Sequence, residues 1–305
     1  MNPPPLSERS FSADEPVKVS ICTIAFNHGA YLKDTLDGFL AQRCDFRVEI
    51  IVHDDASTDD TADILRDYAA RHPGIIRPII QTENLFSKGV NPYYAYVFPS
   101  ATGQYIALCD GDDYWDDPDK LTTQVGFLDT NPDVSVSFGG VHAITDDGVQ
   151  ENYKNGLERD IPVAELKNGP PINTPSAVFK NIFQDGPPPF LRYSPMGDMT
   201  VWAMLGHHGR GAYLPDLKPA MYRLHSGGIF SKKGLRTQLF MGTISLMTIA
   251  AYHSGQDDQA ASRAALRRAI GQIVMLNGGM ATVKEAMRKS LSLWSKRLRK
   301  KGPSQ

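Results

Sequence analysis

Short apolar segments of strand character alternate with helix-like segments over the first half of the chain, and this alternation limits the fold more than any other feature. The segments VKVSICTIA, VEIIV and QYIALC are rich in residues that favour strands, and helical spacing of apolar residues lies between them. The helical pattern is clearest at Leu32, Leu36 and Leu40. This order predicts βαβ units and a mostly parallel sheet from residue 17 to about residue 140.

Two acidic clusters directly follow predicted strands. Asp54 and Asp55 come after the segment VEIIV. Asp110, Asp112 and Asp113 come after QYIALC, which is the fourth predicted strand because a third lies near residues 75–80. Ligands of open α/β sheets bind at the carboxyl ends of the strands, so both clusters lie where a site is expected. Crowded carboxylates repel one another unless a cation neutralises them, and their hard oxygens suit Mg²⁺ or Mn²⁺. We therefore predict a divalent-metal site, although each aspartate taken singly is better explained as a turn or cap residue.

The segments around these clusters resemble the consecutive signatures of family 2 glycosyltransferases with the GT-A fold. The matching segments are VSICTIAFNHGAYL, EIIVHDDASTDDT, GQYIALCDGDDYWDDPDKL with its DxD motif, Met196-Gly197-Asp198 with Trp202, and Tyr222 to Gly228. The last two resemble the later acidic motif and the YRxHxGG element of the family. The resemblance covers about residues 17–231. It implies an α/β, Rossmann-like GT-A sheet flanked by helices.

The resemblance also implies an activity. Members of this kind are metal-dependent, inverting, hexosyltransferase-like enzymes that move a sugar from a nucleoside-diphosphate donor, here expected to be a UDP-sugar, to an acceptor hydroxyl. The acceptor is expected to be a lipid-linked or other glycan, in surface polysaccharide or glycoconjugate biosynthesis.

Carried over residue by residue, the resemblance implies roles for individual side chains. Asp112 is expected to bind Mg²⁺ or Mn²⁺ together with Asp110 and His225, and Asp198 is expected to be the general base. The expected donor-binding residues are Ile24, Phe26, Asn27, Asp54, Asp55, Asp110 and Gly111. The chain departs from the family pattern where Gly197 replaces the usual glutamate, and where Ile24 and Ala25 stand before the aromatic–Asn pair without the usual proline.

Further candidates are suggested by position. Asn84 and Lys88 precede the DxD strand, within reach of a donor phosphate, and a solvated loop is the alternative. Trp115 and Trp202 are expected to contact the acceptor, since an indole can stack on a sugar ring, with core packing as the alternative for Trp115. Asp198 stands at a predicted helix start, where the helix dipole is expected to lower its pKa.

Charge divides the chain unevenly. Residues 261–305 hold eleven of the 32 Lys and Arg residues but only one of the 34 Asp and Glu residues, so the rest is acidic. An acidic body argues against nucleic acid as the main partner. The basic segment 282–301 has helical apolar spacing and a tryptophan, which predicts an interfacial helix on an anionic membrane. The alternative is a helix packed on the catalytic domain.

The predicted organisation has three parts. Residues 1–16 form a flexible tail, 17–231 a catalytic domain and 232–305 a helical appendage, which is a candidate homodimer interface. Within the catalytic domain, residues 17–115 form the nucleotide-sugar half and 116–231 the acceptor half. Three cysteines without metal-ligand spacing favour a reduced, cytoplasmic setting, with peripheral contact at the inner face of the membrane.

Three other functions compete with this interpretation. A sugar nucleotidyltransferase needs a glycine-rich phosphate loop after the first strand, and the loop FNHG has a single glycine. An aspartate-nucleophile phosphatase needs its DxD motif after the first strand rather than the fourth. A catalytically silent nucleotide-sugar-binding module is disfavoured because both Asp112 and Asp198 are present.

Overall fold

The structure is a computed structural model, which describes residues 3–12, 14–151, 153, 156–225 and 234–276. Its main sheet has the strand order β3-β2-β1-β4-β8-β5-β9. These strands are β1 (Val17–Ala25), β2 (Arg47–Asp54), β3 (Ile76–Ile80), β4 (Tyr105–Leu108), β5 (Val134–Phe138), β8 (Val178–Lys180) and β9 (Arg210–Tyr213). Strands β3, β2, β1 and β4 run parallel, β9 runs parallel to β5, and β8 runs antiparallel to both β4 and β5. The predicted α/β class with a mostly parallel sheet is confirmed.

A second, smaller sheet has the order β10-β6-β7, formed by β6 (Val141–Thr145), β7 (Gly148–Gln150) and β10 (Ala220–Arg223). Its strand β10 pairs with the chain just after the DxD motif, because Tyr114 and Met221 exchange backbone hydrogen bonds of 3.1 and 2.9 Å. This pairing brings the residues that follow β10 to the carboxyl end of β4.

Helices flank the main sheet in the first unit of the chain. They are α1 (Leu32–Leu40), α2 (Thr61–Arg71), α3 (Phe98–Ser100), α4 (Lys120–Thr130), α5 (Val163–Leu166) and α6 (Gly197–Leu205), with a π-helical turn at Tyr93–Val97. Strand β1 is buried along most of its length, as expected for a strand covered on both faces. Helix α1 buries Leu32, Leu36 and Phe39 in the same core, which fixes the loop between β1 and α1.

The amino-terminal segment packs on the first unit. Leu6 is fully buried in the core, and its N–H donates to the Gln42 carbonyl at 2.9 Å. Pro5 forms an isolated bridge with Arg43, and the Arg9 guanidinium donates to the Cys44 carbonyl. The prediction of a flexible tail is therefore wrong for residues 5–9, because a single leucine in a polar, proline-rich segment supplies enough apolar contact to hold it.

The chain divides into two compact units, Met1–Gly228 and Ile229–Gln305. The second contains the antiparallel pair α7 (Leu235–Gly255) and α8 (Gln259–Leu276). Among the helices of the described residues, none combines the length and hydrophobicity that crossing a membrane requires. The predicted interfacial segment 282–301 lies outside the described residues.

Candidate active site

The DxD turn, residues 110–113, is held in place by backbone contacts. The N–H of Gly111 donates to the Ile24 carbonyl at 2.9 Å. The Thr35 hydroxyl lies 3.1 Å from the Gly111 carbonyl and 2.7 Å from that of Asp113, so α1 clamps the turn from the other side. A side chain at position 111 would collide with the end of β1. Glycine is therefore needed for this close approach.

Two histidines meet Asp112 at the carboxyl ends of β1 and β4. His225 Nε2 lies 2.9 Å from Asp112 Oδ2, and His28 Nε2 lies 3.8 Å from the same oxygen. One ligand atom from each of the three residues lies within 4.8 Å of the others. The buried Nδ1 of His28 finds no hydrogen-bond partner among the described residues. The structure thus brings together Asp112 and His225, as expected, and adds His28.

Charge in this cluster is balanced against burial. Burial raises the pKa of Asp112, but the hydrogen bond from His225 and the charges of His28 and His225 outweigh it, so the net pKa is lowered. Burial lowers the pKa of His28 despite the opposing charge of Asp112. Burial raises the pKa of Asp113 well above its usual range, with the charge of Asp112 adding to the effect.

Arg223 ties the YRxH segment to the DxD turn. Its backbone N–H donates to Asp113 Oδ1 at 2.7 Å, and its Nε donates to the Asp112 carbonyl at 2.8 Å. The guanidinium also pairs with Asp34 at 3.0 Å and lies 4.6 Å from the centre of the Tyr31 ring. These contacts set the position of the chain two residues before His225.

Asp110 faces a different environment from Asp112. The Tyr93 hydroxyl donates to Asp110 Oδ1 at 2.6 Å. Burial, followed by the charge of Asp112, raises the pKa of Asp110 to about 7, and the charge of Asp198 acts in the same direction. Asp198 is therefore close enough to Asp110 to interact with it. Asp110 is not a member of the histidine cluster, and its expected metal contact stays a prediction.

The π-helical turn and the residue Asn91 just before it hold the start of α6. Asn91 Nδ2 donates to the Ser194 carbonyl at 3.0 Å, and the Tyr94 hydroxyl donates to the Gly197 carbonyl at 2.9 Å. A Cβ at position 197 would lie 2.6 Å from Asn91 Nδ2. This contact accounts for glycine where the family pattern has glutamate, and it leaves Asp198 as the carboxylate of that motif.

Asp198 lies in the first turn of α6 with an exposed side chain. Although this side chain is open to solvent, the protein around it raises its pKa, because the resulting desolvation outweighs the hydrogen bond from the Met199 N–H. The expectation of a lowered pKa is wrong, since it considered only the helix terminus. A raised pKa lies closer to neutral pH, and a general base is most effective when its pKa is near the pH at which it operates.

The first acidic cluster braces two loops. The backbone N–H groups of Leu85 and Phe86 donate to the two carboxylate oxygens of Asp55 at 2.9 and 3.0 Å. Asp54 accepts a hydrogen bond from the Ser57 hydroxyl. Both aspartates are almost fully buried. Their expected donor contacts stay predictions.

Around these aspartates, Asn27 has a positive φ of 56° and its Oδ1 accepts from the Thr58 N–H at 2.8 Å. The neighbouring Ile24 and Phe26 are half-buried. The Asn84 amide donates to the Asp55 carbonyl at 3.2 Å. Lys88 is exposed and pairs with Glu83, which agrees with the solvated-loop alternative.

Both tryptophans proposed for the acceptor lie in the core. Trp115 is 2% exposed, its Nε1–H donates to the Pro175 carbonyl at 2.7 Å and its ring packs on Phe39. Trp202 is 1% exposed and packs edge-on against Phe179. The expected acceptor contacts are wrong in this structure, because neither indole reaches the surface.

Residues 20–184 match the family model described as "Glycosyl transferase family 2". The chain belongs to glycosyltransferase family 2. The matched residues include most of β1, the DxD turn and the loops that Asp54 and Asp55 brace, whereas Asp198, Arg223 and His225 lie beyond the matched range. This family membership confirms the resemblance seen in the sequence.

Two relatives place this family 2 member among bacterial proteins. It is 39% identical over 218 residues to an uncharacterized protein of Mycobacterium tuberculosis, covering 70% of this chain and 60% of that one. It is 28% identical over 225 residues to the Escherichia coli UDP-Glc:alpha-D-GlcNAc-diphosphoundecaprenol beta-1,3-glucosyltransferase WfaP, covering 70% of this chain and 80% of that one.

The fold of this family 2 member is also similar to solved structures. The Staphylococcus aureus protein TarS (residues 1–349), solved in complex with UDP-GlcNAc, superposes with a TM-score of 0.58 at 16% sequence identity. The match covers 84% of this chain and 72% of the other. The likeness extends the shared GT-A fold beyond the residues matched by the family model.

Proposed function

We propose that this family 2 glycosyltransferase is a metal-dependent, inverting enzyme that transfers a sugar from a UDP-sugar to an acceptor hydroxyl. The observation that carries the proposal is the His28–Asp112–His225 cluster, with Asp198 close enough to Asp110 to raise its pKa. This arrangement provides both a place for the charged leaving group and a separate carboxylate for the acceptor.

The cluster fits a divalent cation. Its three ligand atoms lie close together, and they come from one carboxylate, Asp112, and two imidazoles, His28 and His225. The buried Nδ1 of His28 has no hydrogen-bond partner among the described residues. Asp112, His225 and His28 would hold the ion. Two imidazoles favour Mn²⁺ over Mg²⁺, which prefers all-oxygen ligands. When bound, the ion would supply positive charge for the leaving diphosphate.

Asp198 is proposed to accept the proton of the acceptor hydroxyl. A hydroxyl is a weak nucleophile at neutral pH, and a positioned carboxylate lowers the barrier by taking its proton during attack. One base on the face opposite the leaving group suffices for a single displacement with inversion. Tyr93 holds Asp110 on the proposed donor side, and Asp198 would act on the acceptor.

The acceptor is proposed to be a lipid-linked glycan, in surface polysaccharide or glycoconjugate biosynthesis. Support comes from the E. coli relative, whose name specifies a diphosphoundecaprenol-linked acceptor and a UDP-glucose donor. A place in the cytoplasm, at the inner face of the membrane, belongs to the same proposal. Residues 282–301 are proposed to contribute a basic contact there, and the oligomeric state stays a prediction.

A thermal-shift experiment tests the donor and metal parts. UDP should raise the melting temperature of the wild type with Mn²⁺ present and much less in EDTA, because a ligand stabilises the state that binds it. Asp112→Asn should lose the Mn²⁺-dependent shift, whereas Asp116→Asn, on the exposed surface of the same segment, should keep it. An equal shift by UDP in EDTA would contradict the metal assignment.

A donor-hydrolysis assay separates this function from a silent binding module. The enzyme should release UDP from a UDP-sugar slowly in the absence of acceptor. Tight donor binding without turnover, with any acceptor tested, would favour the binding module.

A further inference from the structure

The α7–α8 pair carries an apolar face that is open to solvent. Phe240 and Met247 on α7 are 58% and 53% exposed, and Leu266 and Ile270 on α8 are 42% and 59% exposed. Side chains three or four residues apart share one side of a helix, so Leu266, Ile270 and Ile273 form a continuous stripe. A groove lined by Phe240, Met247 and Ile273 joins the exposed apolar residues of the two helices.

On the α8 side, the seam between α7 and α8 is made of small residues. Ser262, Ala265 and Ala269 of α8 are buried, and the Ser262 hydroxyl donates to the Ala250 carbonyl at 2.9 Å. A Cβ at Gly242 would lie 2.9 Å from the Gln272 amide oxygen, so the helices approach closely there. Small residues at a seam allow close packing, and the large apolar side chains of the stripe are left to face outward.

The charge on this pair is one-sided. Neither α7 nor α8 contains an acidic residue, whereas α8 carries Arg263, Arg267 and Arg268 and α7 carries Arg236. Arg263 and Arg267 each stand three residues before a member of the stripe, which places them along its edge. The sequence that follows α8, residues 277–305, adds eight Lys and Arg residues and one Glu.

We infer that the α7–α8 face is a docking surface for an anionic lipid bilayer, with the stripe in the headgroup region and the arginines on lipid phosphates. A second copy of the chain fits less well, because a two-fold interface brings the same surface of both copies together. In such an interface, neither helix would offer an acidic residue to pair with the arginines of the other copy. An amphipathic surface with arginines at its edge has the composition that interfacial helices use.

The membrane contact rests on the proposed function only in what it would serve: a lipid-linked acceptor would lie in the same membrane. It differs from the proposal for residues 282–301, because it assigns the contact to described side chains upstream of that segment. The two can be separated by substitutions that leave the basic segment intact.

Co-sedimentation of the full chain with vesicles tests the inference. The protein should bind vesicles of phosphatidylcholine and phosphatidylglycerol and not vesicles of phosphatidylcholine alone. The double variant Arg263→Gln, Arg267→Gln should bind about 30-fold more weakly. Each basic residue near the membrane surface contributes about 1 kcal/mol, and two such residues are removed. The double variant Phe240→Gln, Ile270→Gln should weaken binding by at least as much, because these two exposed side chains supply part of the apolar area that would enter the bilayer.

The matched control is Arg66→Gln with Arg71→Gln on α2, which makes the same change in net charge at exposed positions of the other unit. It should bind vesicles as the wild type does. Equal binding by the wild type and the α7–α8 variants would overturn the inference and assign the contact to another segment. No vesicle binding, with a concentration-dependent dimer that the Phe240→Gln and Ile270→Gln changes dissociate, would overturn it in favour of a second copy.

The UDP thermal shift, measured on the same variants, keeps the two proposals distinguishable. The variants should retain the Mn²⁺-dependent shift while losing vesicle binding. If UDP produced no Mn²⁺-dependent rise in the melting temperature of the wild type, the proposed function would be contradicted, while the vesicle-binding result would stand.

Discussion

At the scale of single residues, Asp112 and Asp198 have pKa values shifted in opposite directions. Asp112 is held ionised by two histidines, whereas desolvation raises the pKa of Asp198. Carboxyl groups whose environments separate their pKa values commonly perform different tasks in one reaction. The difference agrees with the proposed roles, in which Asp112 binds positive charge and Asp198 accepts a proton.

Replacing Asp198 with asparagine tests its role as base. Asparagine is nearly isosteric but cannot take the acceptor's proton, so transfer should fall by about 10²-fold or more. The melting temperature and the donor affinity should stay near wild type, because the side chain is exposed and is not part of the histidine cluster. Steady-state transfer assays and donor titrations measure both. Transfer at a near wild-type rate would exclude Asp198 as the base.

At the scale of elements, the π-helical turn Tyr93–Val97 connects the DxD turn with the start of α6. Its first tyrosine holds Asp110 after β4, and its second holds the start of α6, which carries Asp198. Irregular π turns within helices are frequent at functional sites. The turn therefore links the position of Asp110 to that of the α6 start, which carries Asp198.

Removing one hydroxyl from this turn tests that coupling. Tyr94→Phe keeps the buried ring but loses the bond to the Gly197 carbonyl, so α6 should shift slightly. We expect kcat to fall about 10-fold with an unchanged donor KM, since small displacements of catalytic groups are costly. Tyr96→Phe, at the exposed tyrosine of the same turn, serves as the control and should leave kcat unchanged. A change in donor KM that matches the loss in kcat would contradict this separation.

At the scale of the whole molecule, a buried carboxylate fastens the sheet at the end remote from the site. Glu49 accepts hydrogen bonds from the Ser20 hydroxyl at 2.6 Å and the Thr102 N–H at 2.7 Å, and it pairs with Arg77. Burial raises its pKa, but these hydrogen bonds outweigh burial and the net pKa is lowered. Glu49 thus links β1, β2, β3 and the segment before β4.

This pKa shift predicts how stability depends on pH. Because the folded-state pKa of Glu49 lies below the unfolded value of about 4.3, its contribution is complete above that value and is lost as the pH falls through the folded pKa. Glu49→Gln should lower the free energy of unfolding by about 2 kcal/mol at neutral pH, the range for hydrogen bonds to a charged group.

Urea denaturation of wild type and variant at several pH values measures this difference, which should shrink in acid. Glu165→Gln is the control, because its pair with Arg159 is on the surface and contributes little. A difference between wild type and Glu49→Gln that stays constant down to strongly acidic pH would contradict the assignment.

Local patterns in the sequence were sufficient for the fold class and the family. Strand-like segments, helical spacing and acidic clusters at strand ends are properties of neighbouring residues, and the parallel direction of β1, β2 and β4 was predicted from them. The DxD turn and the YRxH segment could each be recognised because each motif is a short contiguous run, and the family resemblance assigned both to one site.

Only the tertiary structure decided which side chains meet at that site and which do not. His28, Asp112 and His225 are far apart in sequence, and their contact depends on the pairing of β10 with the chain after β4. His28 directly follows the Phe26–Asn27 pair that the sequence had already marked, but that position shows only that it is near a strand end. The burial of Trp115 and Trp202, the docking of Leu6 and the raised pKa of Asp198 likewise depend on what packs around each residue. Burial and desolvation are sums over residues distant in the chain, so no local pattern contains them.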